Sequence, residues 1–429
     1  MVRVSGPRAV TLSAALLQSS TPLASLASHV LRRVRLVDPD NGELLDEALC
    51  VVMRAPRSYT GEDVVEVSCH RSPALLCAVV ERLRARGARL AEPGEFTRRA
   101  FLNGRLDLAR AEAVAMLISA RTERAVKLAA RTLAGGLSES LERLREAVLD
   151  LVAGLEVTLD FPEEGVGLAA EAAAGRVAAL EADVARCVAR AHQGRVVHGG
   201  ITVAIVGPPN AGKSSLLNAL LGQDRAIVSP TPGTTRDVVE GTIALAGVPV
   251  RLLDTAGLGE PADALDAESM RRSVKALDES DLLLVVVDGS IPPDPRILAD
   301  TKGRAHLIVR AKSDLSSHPV ALEIADAVPV SSLTGAGIGV LLARLGSEIE
   351  SRASADGDEG GLVASLRQVE LLSELQKSLE SARGALIAAP LEAALIDLRL
   401  ALEAISGLLG VEVGDAVLDR IFSTFCLGK

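Results

Sequence analysis

Apolar and polar positions follow different periods along this chain, and each stretch predicts its own kind of element. Up to about residue 103, short β-branched runs alternate with helical spacing. Glu47–Met53 and Val64–Cys69 read as strands and Pro73–Gly87 as a helix, which together predict a small α+β unit. From Leu106 to about His198, apolar residues recur every three or four positions through Leu117, Val126, Leu133, Leu141, Leu144 and Leu151. That spacing predicts helix almost without a break until Phe161-Pro162, and Gly199-Gly200 marks a boundary. Residues 201–350 change character: strand-like runs at Ile201–Val206, Val250–Leu253, Leu282–Val287 and Ala305–Val309 alternate with helical stretches and predict parallel βα units. Ser351–Gly361 reads as a linker, after which helical spacing resumes to about Phe425. The expected division is a domain over 1–103, a helical domain built from 104–200 plus 361–429, and an α/β domain over 201–350 interrupting it.

Composition narrows the chemistry. Hydrophobic residues make up 48% of the 429, yet there are five Phe, one Tyr and no Trp, so the cores are aliphatic and offer few platforms for stacking bases. A net charge of −10 opposes holding nucleic acid by bulk electrostatics, so any RNA contact is expected to be local or shared with a partner. Cys50, Cys69, Cys77, Cys187 and Cys426 form no C-x-x-C pair, which signals neither a zinc knuckle nor a disulfide framework. Met1–Pro7 has no apolar segment of the signal-peptide kind, and no run approaches the roughly 20 apolar residues that span a bilayer. The expected setting is the cytoplasm, with no membrane partner.

The interrupting segment carries an ordered set of loops. Gly207-Pro208-Pro209-Asn210-Ala211-Gly212-Lys213-Ser214 lies between a strand and a helix-forming run. Backbone N–H groups there can cradle phosphates, with Asn210, Ala211, Gly212 and Ser215 lining them, Lys213 reaching the terminal phosphates and Ser214 offering a hydroxyl to Mg2+. Asp254-Thr255-Ala256-Gly257 ends a second strand as expected for a water-mediated magnesium contact beside a γ-phosphate sensor. Between them, Thr231-Pro232-Gly233-Thr234-Thr235-Arg236-Asp237 suits a switch loop in which Thr235 joins the magnesium. Guanine choice is expected from Asp314 in Ala311-Lys312-Ser313-Asp314, with Lys312 along the base, and Ser331, Ser332 and Leu333 fit the loop that meets the base carbonyl. Ala311 departs from the usual Asn of this motif and cannot hydrogen-bond. Leu258 stands where Ras-like enzymes carry a water-positioning Gln, so catalysis needs other groups: a monovalent cation beside Asn210, and a nearby carboxylate. The fold class expected is multidomain α/β, an α-helical domain interrupted by a P-loop, Ras-like GTPase domain that binds and hydrolyses GTP to GDP.

Three further blocks carry a resemblance: Tyr59-Thr60-Gly61-Glu62-Asp63, the run from Pro93-Gly94-Glu95-Phe96 to Asp107-Leu108, and Ile421 to Lys429 through Phe422, Phe425 and Cys426. With the loops above, they resemble the MnmE (TrmE) family of bacterial and organellar tRNA-modification GTPases along nearly the whole chain. The resemblance implies an N-terminal tetrahydrofolate-binding and dimerisation domain, a homodimer, and a heterotetramer with the flavoprotein MnmG (GidA). The implied reaction installs an aminomethyl-type group on carbon 5 of the wobble uridine of certain tRNAs, with a one-carbon unit from a 5-formyl or 5,10-methylene tetrahydrofolate. It also implies K+ ligands at Asn210, Ser229, Thr231 and Thr234, folate contacts at Arg3, Glu66, Arg105 and Lys429, and a role in modification for Cys426. The family's water-orienting Glu falls on Asp266, with Glu260 and Glu268 as alternatives. Its Cys-His-Gly-Gly is Cys69-His70-Arg71-Ser72 here, and its first strand has no counterpart before Met1. An Era- or EngA-like switch for ribosome assembly would share the P-loop and Thr-Thr-Arg-Asp but lack the outer blocks. A helical scaffold with a decayed site would not keep Lys213, Ser214, Thr235, Asp254 and Asp314 intact.

Overall fold

Leu44–Met53 forms a strand because it can bury alternate side chains: Ala48, Cys50 and Val52 are inside, with Leu49 exposed and Val51 half-buried between them. The computed structural model describes residues 1–161, 163, 167–222, 240–254, 278, 280–294, 301, 303–354, 364–411, 413–426 and 428. In it, that strand is β4 of a five-stranded antiparallel sheet ordered β1 (Val2–Ser5), β5 (Val64–Ser68), β4, β3 (Arg32–Val37) and β2 (Leu17–Gln18). Helices α1 (Ala9–Ala14) and α2 (Pro73–Ala85) add Ala9, Val10, Leu12, Val79 and Leu83 to the same core. The Cys69-His70-Arg71-Ser72 departure is accommodated by side-chain bonds. Asp46 accepts from His70 N at 2.9 Å, and Ser72 caps α2 by accepting from Leu75 N at 3.4 Å, with Pro73 at the first helical position.

Helix α3 (Glu95–Leu102) precedes the long helical stretch, which resolves into α4 (Leu108–Ser119), α5 (Glu123–Leu133), α6 (Gly136–Asp160) and α7 (Ala170–Gly199). In α6 the expected spacing is the buried stripe, with Leu137, Leu141, Leu144, Val148, Leu151 and Leu155 inside, and it packs along helix Leu391–Leu409. Val126 was expected on such a stripe but is 41% exposed, because α5 buries Ala125, Leu128 and Ala129 instead. Among the described residues no helix is long and apolar enough to cross a membrane.

The chain divides into two units. One takes residues 1–118, 132–178 and 374–429, and the other takes 119–131 and 179–373. The second holds a six-stranded sheet ordered β11 (Val328–Pro329), β10 (His306–Ala311), β9 (Leu282–Asp288), β6 (Ile201–Val206), β8 (Val248–Asp254) and β7 (Glu240–Leu245). Its strands run parallel except β7, which pairs antiparallel with β8. The four strands expected from the sequence pair in parallel, and the antiparallel β7 is an addition to them. Ala246-Gly247, with φ of +50° and +72°, closes a two-residue hairpin that buries Ile243 and Leu245 opposite Val248 and Val250.

Candidate functional site

The phosphate loop is set by a close backbone approach. β6 lies between β8 and β9, and beyond Val206 the chain runs so near β9 that a Cβ on Gly207 would stand 2.3 Å from the Val286 carbonyl oxygen. Only glycine fits there. The loop then turns through Asn210 (φ +62°) and Gly212 into helix α8 (Lys213–Leu221), whose free N–H groups and positive dipole end face the loop. Lys213 is buried, and its Nζ donates to the carbonyls of Gly207 at 3.1 Å and Pro208 at 2.9 Å. Burial pushes its ammonium pKa down, and Asp254 opposes that shift.

Ser214 donates to Asp254 Oδ2 at 2.5 Å across 40 residues of sequence. The other carboxylate oxygen, Asp254 Oδ1, is buried and has no hydrogen-bond partner among the described residues. A hydroxyl and an orphaned carboxylate oxygen at the end of a phosphate loop fit a hard divalent cation held partly through water. Asn210, Ala211, Gly212, Lys213, Ser214 and Ser215 are thus contiguous at one strand-helix junction, with Asp254 brought to it by β8. Ser229, Thr231, Gly233, Thr234, Thr235, Thr255, Ala256, Gly257, Asp266 and Lys429 lie outside the described residues, as do Leu258, Glu260 and Glu268.

The base side is organised by residues that motif reading passed over. Lys312 follows β10 with φ +58°, and its Nζ donates to Asp288 Oδ2 at 2.6 Å. Asp288 ends β9, is buried, and accepts through Oδ1 from the Ser290 amide at 2.9 Å and hydroxyl at 2.6 Å. Burial raises this carboxyl, but the Lys312 and Ser290 hydrogen bonds outweigh it and hold the pKa below the usual range. The signal for Asp288 was present as the single acid closing an all-apolar strand. Ala311 is buried, and a Cβ added at Gly212 would stand 3.8 Å from the Ala311 Cβ, so the residue in place of the usual Asn lies close to the phosphate loop but has no side-chain group to bond it. Asp314 is exposed. Ser331 N–H is already committed to the Ala336 carbonyl at 2.9 Å, while Leu333 is 86% exposed.

The first unit holds a cavity of about 600 Å³, lined by β1, α1, α2, residues 87–91, Glu95, Phe96, Arg99 and Gly428. The three outer sequence blocks meet around it. Arg3 bonds Glu66 at 2.6 Å across the β1–β5 pair, and its guanidinium lies 5.4 Å from the rings of both Tyr59 and Phe96. Glu62 accepts from Ser5 at 2.8 Å and from Arg99 at 2.9 Å, and Glu95 accepts from Arg89, Arg99 and the Glu92 amide. Burial raises the Glu95 carboxyl, yet the Arg89, Glu92 and Arg99 hydrogen bonds prevail and hold it at about 2. Gly94, with φ +69°, must remain glycine because a Cβ would come within 2.6 Å of the Phe422 carbonyl oxygen. Phe422 and Phe425 pack with Leu108, Ala111, Val114 and Leu418, and Phe101 joins them. Of the expected folate contacts, Arg3 lines the cavity and Glu66 holds Arg3. Arg105 is exposed beside Gly61 and is not among the lining residues. Cys426 is an exposed free thiol.

Two family models match in succession: one described as the GTP-binding protein TrmE N-terminus over residues 1–105, and one described as the MnmE helical domain over residues 108–426. A solved structure of Era from Aquifex aeolicus is 27% identical, covers 42% of this chain and 66% of that one, and has a TM-score of 0.29. The tRNA modification GTPase MnmE of Thermus thermophilus is 44% identical over 434 residues, covering 100% of this chain and 95% of its own. Those of Moorella thermoacetica and Koribacter versatilis are 42% and 40% identical, each covering 100% of this chain and 96% of its own. The chain belongs to the MnmE family of tRNA modification GTPases.

Proposed function

We propose that this chain is a potassium-dependent GTPase that, with the flavoprotein MnmG, modifies carbon 5 of the wobble uridine of certain tRNAs in the cytoplasm. A tetrahydrofolate derivative would supply the one-carbon unit when bound in the first unit. The observation that carries this reading is that one chain holds both a phosphate loop fit for magnesium and a separate arginine-lined cavity. A bare GTP switch needs only the first. The cavity's volume lies within the range of small-molecule sites, and its wall offers apolar side chains with a few fixed polar groups, as a folate requires.

For hydrolysis, the loop amides from Asn210 to Ser215 bind the phosphates, and Lys213 exchanges its two carbonyl partners for phosphate oxygens. Ser214, Thr235 and, through water, Asp254 would hold Mg2+, which neutralises charge between the phosphates. Asn210, Ser229, Thr231 and Thr234 would hold K+, with Asp266 orienting the attacking water. Asp314 accepts from the guanine ring N–H and exocyclic amine, while Lys312, anchored on Asp288, flanks the base. The homodimer and the MnmG partnership follow from the family reading, and Cys426 is assigned to the modification step on the same ground.

The test is GTP turnover in potassium against sodium, for the wild type and Asn210→Ala. The expected result is a potassium acceleration of at least about tenfold, on the scale of a fixed charge placed at the developing negative charge, lost in Asn210→Ala while GDP binding survives. Equal turnover in the two salts rejects the potassium assignment, and no turnover in either rejects the GTPase reading.

A further inference from the structure

The charge of the first unit's cavity runs against that of the chain. The net charge is −10, yet among the described residues the charged ones lining the 600 Å³ cavity are Arg3, Arg8, Arg84, Arg89, Arg99 and Glu95, five cations to one anion. Three of the five have internal partners: Arg3 is bonded to Glu66, Arg89 to Glu95, and Arg99 to Glu95 and Glu62. The other two have no ion-pair partner among the described residues. Arg8 reaches only the Arg86 carbonyl, at 3.5 Å, with its guanidinium beside Gly87, and Arg84 has no ion pair; neither has a carboxylate partner among the described residues. Both are exposed, Arg8 just before α1 and Arg84 on the last turn of α2, and Arg84 and Arg89 also line the adjoining 460 Å³ cavity, where Glu81 is the only acid.

Guanidinium groups that line a small-molecule cavity with no carboxylate partner can take one from a ligand, and carboxylates are the acceptors that match their planar fork. The floor beneath them is aliphatic, formed by Leu12, Leu76, Val80 and Leu83, and so suits the uncharged body of a ligand. Resting on the folate reading above, we infer that Arg8 and Arg84 form a tail subsite that selects folates carrying a chain of γ-linked glutamates over those carrying one. Each added glutamate contributes a carboxylate. The arginines line a cavity rather than a flat surface, which favours a small ligand's tail over the backbone of a tRNA.

The test compares binding of tetrahydrofolate monoglutamate and triglutamate to the full chain by calorimetry, at low and high salt. Two exposed charge pairs predict that the triglutamate binds about three- to tenfold tighter near 50 mM salt, a gap that closes towards about 0.5 M as screening shortens. Arg8→Gln with Arg84→Gln should abolish the gap, so that the triglutamate binds the variant no tighter than the monoglutamate does. Arg8→Lys with Arg84→Lys should keep most of it. If both forms bind the wild type equally, or the gap survives in the double Gln variant, the tail subsite is wrong and the folate reading stands. If neither form binds, the folate reading fails and the subsite with it. A double Gln variant that loses affinity for tRNA while keeping the glutamate gap also overturns the inference. The wild-type comparison at two salt concentrations needs no variant to fold.

Discussion

The phosphate loop and the arginine-lined cavity are built by opposite means. The loop is nine consecutive residues at one strand-helix junction, Gly207 to Ser215, and its working groups are mainly backbone amides. The cavity draws on residues as distant as Arg3, Arg84, Glu95 and Gly428, and its working groups are side chains holding one another in place. A local site fails by a single steric contact, whereas a distributed one fails by losing partners.

The largest expected effect is Gly207→Ala. Its Cβ would stand 2.3 Å from the Val286 carbonyl oxygen, so the strand or the loop must shift. GDP affinity should fall by about a hundredfold or more, the scale of a loss of several kcal/mol, while the first unit's stability to urea is retained. Fluorescent-GDP titration and urea unfolding on one preparation check both. Wild-type GDP affinity in this variant would show that the loop does not depend on that approach.

Next is Gly94→Ala, which puts a side chain into a left-handed residue and against the Phe422 carbonyl. A loss of about 2–3 kcal/mol is expected in the urea unfolding of the first unit, with GDP affinity unchanged. If nucleotide binding falls in parallel, the two sites are not independent in the way their construction suggests.

Glu95→Gln sharpens the contrast by pH. The native carboxyl is held at about 2 against an ordinary 4.5, so the unfolded chain takes up a proton first as the pH drops. The carboxylate's contribution is therefore complete above about pH 4.5 and lost as pH falls towards 2. Glu95→Gln should cost about 1–2 kcal/mol at pH 7, and its urea midpoint should converge with that of the wild type on acidification through this window. A constant difference from pH 7 to pH 3 would contradict the assignment.

The smallest effect is expected from Asp288→Asn, which removes the anchor of Lys312 but can still accept from Ser290. GDP should bind about three- to tenfold more weakly with kcat little changed, since the anchor acts on ground-state binding. A fall in kcat alone would assign Asp288 to chemistry instead.

The same contrast explains what could be read in advance. Strand β6, the phosphate loop and α8 were legible because their signal is local: an apolar run, a glycine-bearing turn and a helix former series. Asp254 was legible as the acid at a strand end. Strand β7 was not, because Glu240–Leu245 mixes Gly, Thr and Ala with its few large apolar residues and shows its alternation only when paired with β8. Asp288 escaped because nothing in sequence ties it to Lys312, 24 residues later. In the cavity, Glu62 and Arg99 stood inside quoted blocks without a role, since the hydrogen bond joining them spans 37 residues. Arg8 and Arg84 carry no motif, and only the fold brings them to the lining of one cavity.

The seat of Phe422 and Phe425 against Gly94 and Leu108 also fixes an order in time. At about 5–20 residues per second, Leu418–Phe425 is synthesised roughly a quarter of a minute to a minute after Gly94. Helix α3 and the apolar side chains of Phe101 and Leu108 must wait that long on the ribosome for their cover. The phosphate loop, β8 and β9 are all complete well before then. A ribosome stalled just short of Leu418 therefore holds a nascent chain whose phosphate-binding strands are all synthesised and whose N-terminal cavity still lacks its aromatic support, a client for any chaperone that binds uncovered apolar surface.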